Sequence, residues 1–145
     1  MSALDEKFLP PDDMPEFHKP FWEALKARRL ELQGCENGHL RFIPTEICPR
    51  CGSQDWTWRQ VSGRGKVYTY TVVHRAPTPA YQAEAPYVVA HVELEEGPRM
   101  IGNIVGCQPA EVRIGMPVEV VFEDVSDRWT LYKFRPARTE EGVHV

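Results

Sequence analysis

The sequence predicts a mainly β protein: an N-terminal helix, a cysteine-rich segment organised by a metal, and a C-terminal five-stranded barrel of the OB type. Three observations carry that expectation. Five strand-like runs follow Gly63, one long connection separates the third from the fourth, and three cysteines crowd into a 17-residue window ahead of them.

Residues 1–13 include Pro10-Pro11-Asp12-Asp13 and little apolar content, which predicts a flexible arm. From Glu16 to Leu32 the pattern changes. Phe17, Phe21, Ala24, Leu25 and Leu30 recur near helical spacing, Trp22 widens the apolar side, and Glu23, Lys26, Arg28 and Arg29 supply a solvated one. One amphipathic helix is expected within residues 14–33, with Pro20 as the point where it can break and its aromatic side packed on its own domain.

Residues 34–60 lose periodicity and carry Gly34, Gly38, Pro44, Pro49 and Gly52 beside the cysteines, so this segment needs a metal to hold a shape. The barrel is expected over residues 61–136. Its first strand is Val67–Val73, rich in β-branched and aromatic residues, and residues 76–86, with three prolines, form an exposed loop. Strands follow at about 87–95, 99–106, 117–125 and 129–135. Ala110–Ile114 stands where a helix would plug such a barrel but is short for one, and residues 137–145 read as a flexible tail.

Cys48-Pro49-Arg50-Cys51-Gly52 has the form of a zinc knuckle, two thiolates three apart with a glycine that lets the backbone turn around the ion. A structural zinc takes four ligands. The upstream half reads Cys35-Glu36-Asn37-Gly38-His39, where Gly38 stands in place of a second cysteine and His39 can complete a Cys₃His site of Cys35, His39, Cys48 and Cys51. A metal-free ribbon, held by Leu40, Phe42, Ile43 and Ile47 against Trp56 and Trp58, is the other reading. A redox use of Cys48 and Cys51 would require a helix to open at Cys48, and Gly52-Ser53-Gln54-Asp55 argues against one.

The rest of the composition excludes more than it assigns. A net charge of −4, with 17 Lys and Arg against 21 Asp and Glu, gives no pull towards nucleic acid. No apolar run approaches the roughly 20 residues of a membrane helix. The acidic N-terminus does not read as a secretory signal, so a cytoplasmic protein with a structural metal is expected. No phosphate loop, serine elbow or His-Glu hydrolase motif is present, and Cys107, His74 and His91 lack a companion base or acid at diagnostic spacing. Scattered cations (Arg64, Lys66, Arg75, Arg128, Lys133, Arg135) read as a solvated sheet face.

Phe21-Trp22-Glu23-Ala24-Leu25, Phe42-Ile43-Pro44, Cys48-Pro49-Arg50-Cys51-Gly52-Ser53, Gly63-Arg64-Gly65-Lys66-Val67-Tyr68-Thr69-Tyr70-Thr71 and Ile114-Gly115-Met116-Pro117-Val118-Glu119-Val120 resemble one family. It is the zinc-ribbon OB-fold acyl-CoA-associated proteins, or domain of unknown function thirty-five. The resemblance implies a helix or helical hairpin, a rubredoxin-like zinc ribbon and an OB-fold barrel. It also implies a non-catalytic accessory subunit in a hetero-oligomer with a thiolase-like or lipid-transfer-protein-like acyl-CoA enzyme, such as a retro-aldolase acting on steroid or related side-chain CoA thioesters. Acyl-CoA would then be bound jointly with the partner. The family's usual first knuckle has two cysteines, and this chain departs from it at Gly38. The alternative function is a single-stranded nucleic-acid-binding OB-fold and zinc-ribbon module.

Overall fold

In the computed structural model, which describes residue 10 and residues 12–138, the chain runs from a short helix into a three-stranded ribbon and then into a closed barrel. Most of the arm expected at 1–13 and of the tail expected at 137–145 lies outside the described residues.

A 3₁₀ turn at Glu16–His18 leads into α1, Lys19–Lys26. Pro20 sits in the first turn of this helix and does not break it, because there its missing N–H is one that has no intrahelical partner. Phe21, Ala24 and Leu25 form the buried face. The helix stops at Lys26, short of the expected Leu32. Arg28 adopts the left-handed conformation at φ 64°, and the N–H groups of Arg28 and Arg29 donate to the carbonyls of Leu25 and Ala24 at 2.9 and 2.8 Å, a Schellman ending. Leu30 and Leu32 flank Glu31 and belong instead to β1, Leu30–Cys35. Two leucines cannot distinguish a helical from a strand period; the turn at Arg28 decides it.

In the ribbon, β1 pairs antiparallel with β2, Leu40–Arg41, on one side and with β3, Trp56–Val61, on the other. The barrel comprises β4 (Arg64–Val73), β5 (Tyr87–Leu94), β6 (Arg99–Ile104), β7 (Pro117–Asp124) and β8 (Thr130–Pro136), closed in the order β4-β5-β6-β8-β7. The long β4 pairs with both β5 and β7, and β6 meets β8 in parallel at Ile104 and Phe134, so the five expected strands form the OB-fold. The expected plug is a three-residue 3₁₀ turn, Pro109–Glu111, followed by a fully buried Val112. The expected loop at 76–86 contains a single turn, α2 (Pro79–Gln82), capped by Thr78.

Alternation along β4 predicts one face for Tyr68 and Tyr70. A register shift between Val67 and Thr69 separates them. Tyr70 packs on the core, while Tyr68 is 45% exposed and stacks under the Arg99 guanidinium at 3.6 Å. Phe134 is completely buried, and a Cβ on Gly102 would lie 3.1 Å from its ring, so a side chain there would press on it.

Helix, ribbon and barrel meet at three rings. Phe21 of α1 lies 6.2 Å from Phe42, which follows β2, and 6.0 Å from Tyr132 of β8; Phe42 and Tyr132 are 6.0 Å apart, all edge to face. The Tyr132 hydroxyl donates to the carbonyl of Ile101, and burial raises its pKa. Among the described residues, no helix is long and apolar enough to cross a membrane.

A second tie joins α1 to the barrel. The Arg28 guanidinium donates to both oxygens of Asp124 at 2.9 and 2.6 Å, and the Thr130 hydroxyl donates to one of them at 2.6 Å. The bonds from Arg28 and then Thr130 hold the Asp124 carboxyl well below its usual range. Because the folded pKa lies under the unfolded value of about 3.9, the contribution is complete above about pH 4 and is lost as pH falls towards the folded value. Asp124→Asn should therefore lower the urea midpoint at neutral pH and bring wild type and variant together at strongly acid pH.

Candidate metal centre

Cys35 ends β1, and the chain turns at once: the Gly38 N–H donates to the Cys35 carbonyl at 2.9 Å and the Cys35 N–H to that of His39 at 3.1 Å. The second turn is built alike but is one residue longer. There, the Gly52 N–H donates to the Cys48 carbonyl at 2.8 Å and the Cys48 N–H to that of Ser53 at 2.9 Å. Gly38 at φ 83° and Gly52 at φ 75° occupy the left-handed region that such turns demand. In the first turn glycine therefore takes the position expected for a cysteine, and the residue with a donor side chain is the next one, His39.

The two turns bring all four expected residues together. One donor atom from each of Cys35, His39, Cys48 and Cys51 lies within 4.8 Å of every other. His39 Nδ1 is 3.5 Å from Cys35 Sγ and 3.6 Å from Cys48 Sγ, and Cys35 Sγ is 3.7 Å from Cys51 Sγ. A tetrahedral zinc with Zn–S about 2.3 Å and Zn–N about 2.0 Å requires separations of about 3.8 Å between sulfurs and about 3.6 Å from sulfur to nitrogen. The donors thus fit one tetrahedral ion with no open position, and three thiols with one imidazole suit zinc. Burial raises the Cys48 thiol, but the backbone N–H groups of Arg50 and Cys51, with His39 and the Cys51 side chain, outweigh it and bring the pKa down to about 6.

The metal-free alternative fares poorly. Ile43 and Ile47, two of the residues it needs as a core, are 61% and 49% exposed. Polar contacts that the sequence did not advertise brace the turns. Asn37 Nδ2 donates to Cys51 Sγ at 3.2 Å, and the Ser53 hydroxyl to Glu36 at 2.9 Å. Gln33, fully buried, accepts from Arg41 Nε and from the Thr45 N–H, both at 2.8 Å. A glutamine in a strand normally reads as solvent-facing, so only the fold reveals this clamp.

The other candidates stay apart from the cluster. Cys107 packs on the barrel core, where burial and then Glu111 push its thiol up, the reverse of an activated nucleophile. His74 lies just past β4 and His91 on the outer barrel wall, both exposed. Of the scattered cations, Arg64 pairs with Glu95, Lys66 with Glu93, Arg128 with Asp12, Lys133 with Glu123 and Arg135 with Glu119.

Residues 22–57 match the model of the ChsH2 rubredoxin-like zinc ribbon domain, and residues 58–123 that of the ChsH2 C-terminal OB-fold domain. A DUF35 domain-containing scaffold protein of Methanocaldococcus jannaschii is 48% identical over 124 residues, 79% of this chain and 87% of that protein. The chain belongs to the DUF35 family. Its DUF35 fold superposes on a solved Ltp2-ChsH2(DUF35) aldolase chain with a TM-score of 0.77 and 42% identity, covering 87% of this chain and 98% of that one. It is also 47% identical over 123 residues to a probable enoyl-CoA hydratase alpha subunit of Thermomonospora curvata. That match takes in 83% of this chain but 38% of the relative, so the chain spans well under half of that protein's length.

Zinc should co-purify with the chain at about one ion per molecule. His39→Ala should weaken retention against a chelator by more than the roughly 10–100-fold typical of an outer-shell change; unchanged metal content would remove His39 from the ligand set.

Proposed function

We propose that this chain is a non-catalytic accessory subunit of a thiolase-fold acyl-CoA enzyme, docking on its partner and helping to form the acyl-CoA site. Cys35, His39, Cys48 and Cys51 hold a structural zinc in a ribbon at about residues 34–60, and residues 61–136 form the barrel that meets the partner. The observation that carries the proposal is that one ribbon-and-barrel module resembles proteins named for two different reactions, an enoyl-CoA hydratase and an aldolase, and another named a scaffold. A part that accompanies different chemistries is best understood as the part that does not perform them.

The described residues support this. A zinc held by four protein donors has no free position for substrate. Clefts of about 260 Å³ beside Trp22 and Trp129, about 280 Å³ beside Cys107 and about 360 Å³ at two places beside Trp56 sit at the bottom of the roughly 300–1,000 Å³ range of ordinary ligand pockets, and all are open to solvent. A CoA thioester needs a second wall, which a partner supplies. Within the acyl-CoA class, the sequence resemblance favours a retro-aldolase handling steroid or related side chains. Arg64, Lys66, Arg128, Lys133 and Arg135 each lie beside an acidic side chain of the chain itself, which offers the OB-fold's alternative role no uncompensated basic stripe. A zinc held by thiolates suits a reducing cytoplasm, where cysteines are kept from pairing as disulfides.

Co-expression with a thiolase-like subunit of the same genome should yield a stable hetero-oligomer that turns over an acyl-CoA thioester, while this chain alone shows no turnover. A monomer that ignores the partner and converts the thioester unaided would refute the proposal.

A further inference from the structure

The four donors are unequally covered. Cys35 and Cys48 are buried, at 0% and 2% exposure, whereas Cys51 is exposed on its turn. Asn37, from the opposite turn, donates its Nδ2–H to Cys51 Sγ at 3.2 Å. Behind that sulfur, 3.7 Å away, stands Cys35 Sγ.

We propose that Cys51 is a site of peroxide modification in this protein, that Asn37 sets its reaction rate, and that Cys35 resolves the product as a disulfide with release of the metal. The proposal rests on the Cys₃His zinc reading above. Oxidation of cysteine follows thiolate character and exposure, and within the cluster only Cys51 combines metal-held thiolate character with access. A hydrogen bond to a thiolate draws on the lone pair that would attack peroxide, so Asn37 slows the reaction. In the first step the Cys51 sulfur attacks one oxygen of hydrogen peroxide. An S–O bond forms, the O–O bond breaks, sulfur loses two electrons, and the other oxygen leaves as hydroxide and is protonated to water. The Cys35 thiolate then attacks the Cys51 sulfur, an S–S bond forms, and the S–O bond breaks with loss of a second hydroxide. Two thiolates, one peroxide and two protons become one disulfide and two waters. Drawing the sulfurs from 3.7 Å to about 2.0 Å removes two thiolate ligands at once, and the ion leaves.

The experiment uses the zinc-loaded chain in a Cys107→Ser background, with zinc release followed by a metal indicator during peroxide treatment and the oxidised cysteines mapped by peptide mass spectrometry. A Cys35–Cys51 disulfide formed in step with zinc release and reversed by a thiol reductant is expected, with Asn37→Ala releasing zinc about tenfold faster. A disulfide or sulfenic acid first at Cys48 would overturn the proposal, as would an Asn37→Ala rate equal to that of the parent. The mapping on the parent chain decides alone if Asn37→Ala does not fold. A chain that carries no zinc before peroxide is added overturns the ligand set itself, an outcome distinct from zinc-loaded protein that resists peroxide.

Discussion

Between Cys35 and Trp56 the chain has only the two-residue strand β2, and its isoleucines face solvent. Leu40 and Phe42 pack on the core, but the two turns that carry the cysteines have no such apolar hold. The shape of those turns rests on four donor atoms gathered at one point, where a zinc-sized tetrahedron accounts for separations of 3.5, 3.6 and 3.7 Å. The consequences reach beyond the ribbon. The two turns set where β2 lies against β1, β2 delivers Phe42, and Phe42 completes the ring contact with Phe21 and Tyr132 through which helix, ribbon and barrel become one body. The ribbon adds Leu30, Leu32 and Val61 to the one buried cluster that the barrel dominates, while its cysteine turns lie outside that cluster.

This arrangement suits a part that presents a surface. The barrel is closed, so its strands offer no long unpaired edge to aggregate through. Its interior is occupied by Val67, Val88, Val92, Met100, Val112, Val118 and Phe134, all within one buried cluster. Rigid elements with outward-facing contacts and small open clefts can order a partner or complete a partner's cavity.

How much of this is legible in the sequence varies with the physics of each element. The barrel strands announce themselves because alternation and β-branched side chains are local properties, and each begins and ends close to where its own residues put it. The metal cluster is legible for a similar reason, since ligand spacing is written along the chain. What local pattern cannot supply is the outcome of a competition. Leu30 and Leu32 satisfy a helix and a strand equally, and the left-handed Arg28, anchored by Asp124 far along the chain, settles the matter. Tyr68 leaves its expected face because the β4–β5 register slips by one residue. Gln33, Arg41 and Asn37 acquire their roles only through neighbours that folding brings to them.

The claim on which the rest stands is that Cys35, His39, Cys48 and Cys51 surround one zinc ion. X-ray absorption at the zinc edge of the purified chain reads that shell directly. Three sulfurs near 2.3 Å and one nitrogen near 2.0 Å are predicted. A shell of four sulfurs, or one in which oxygen replaces the nitrogen, would contradict it.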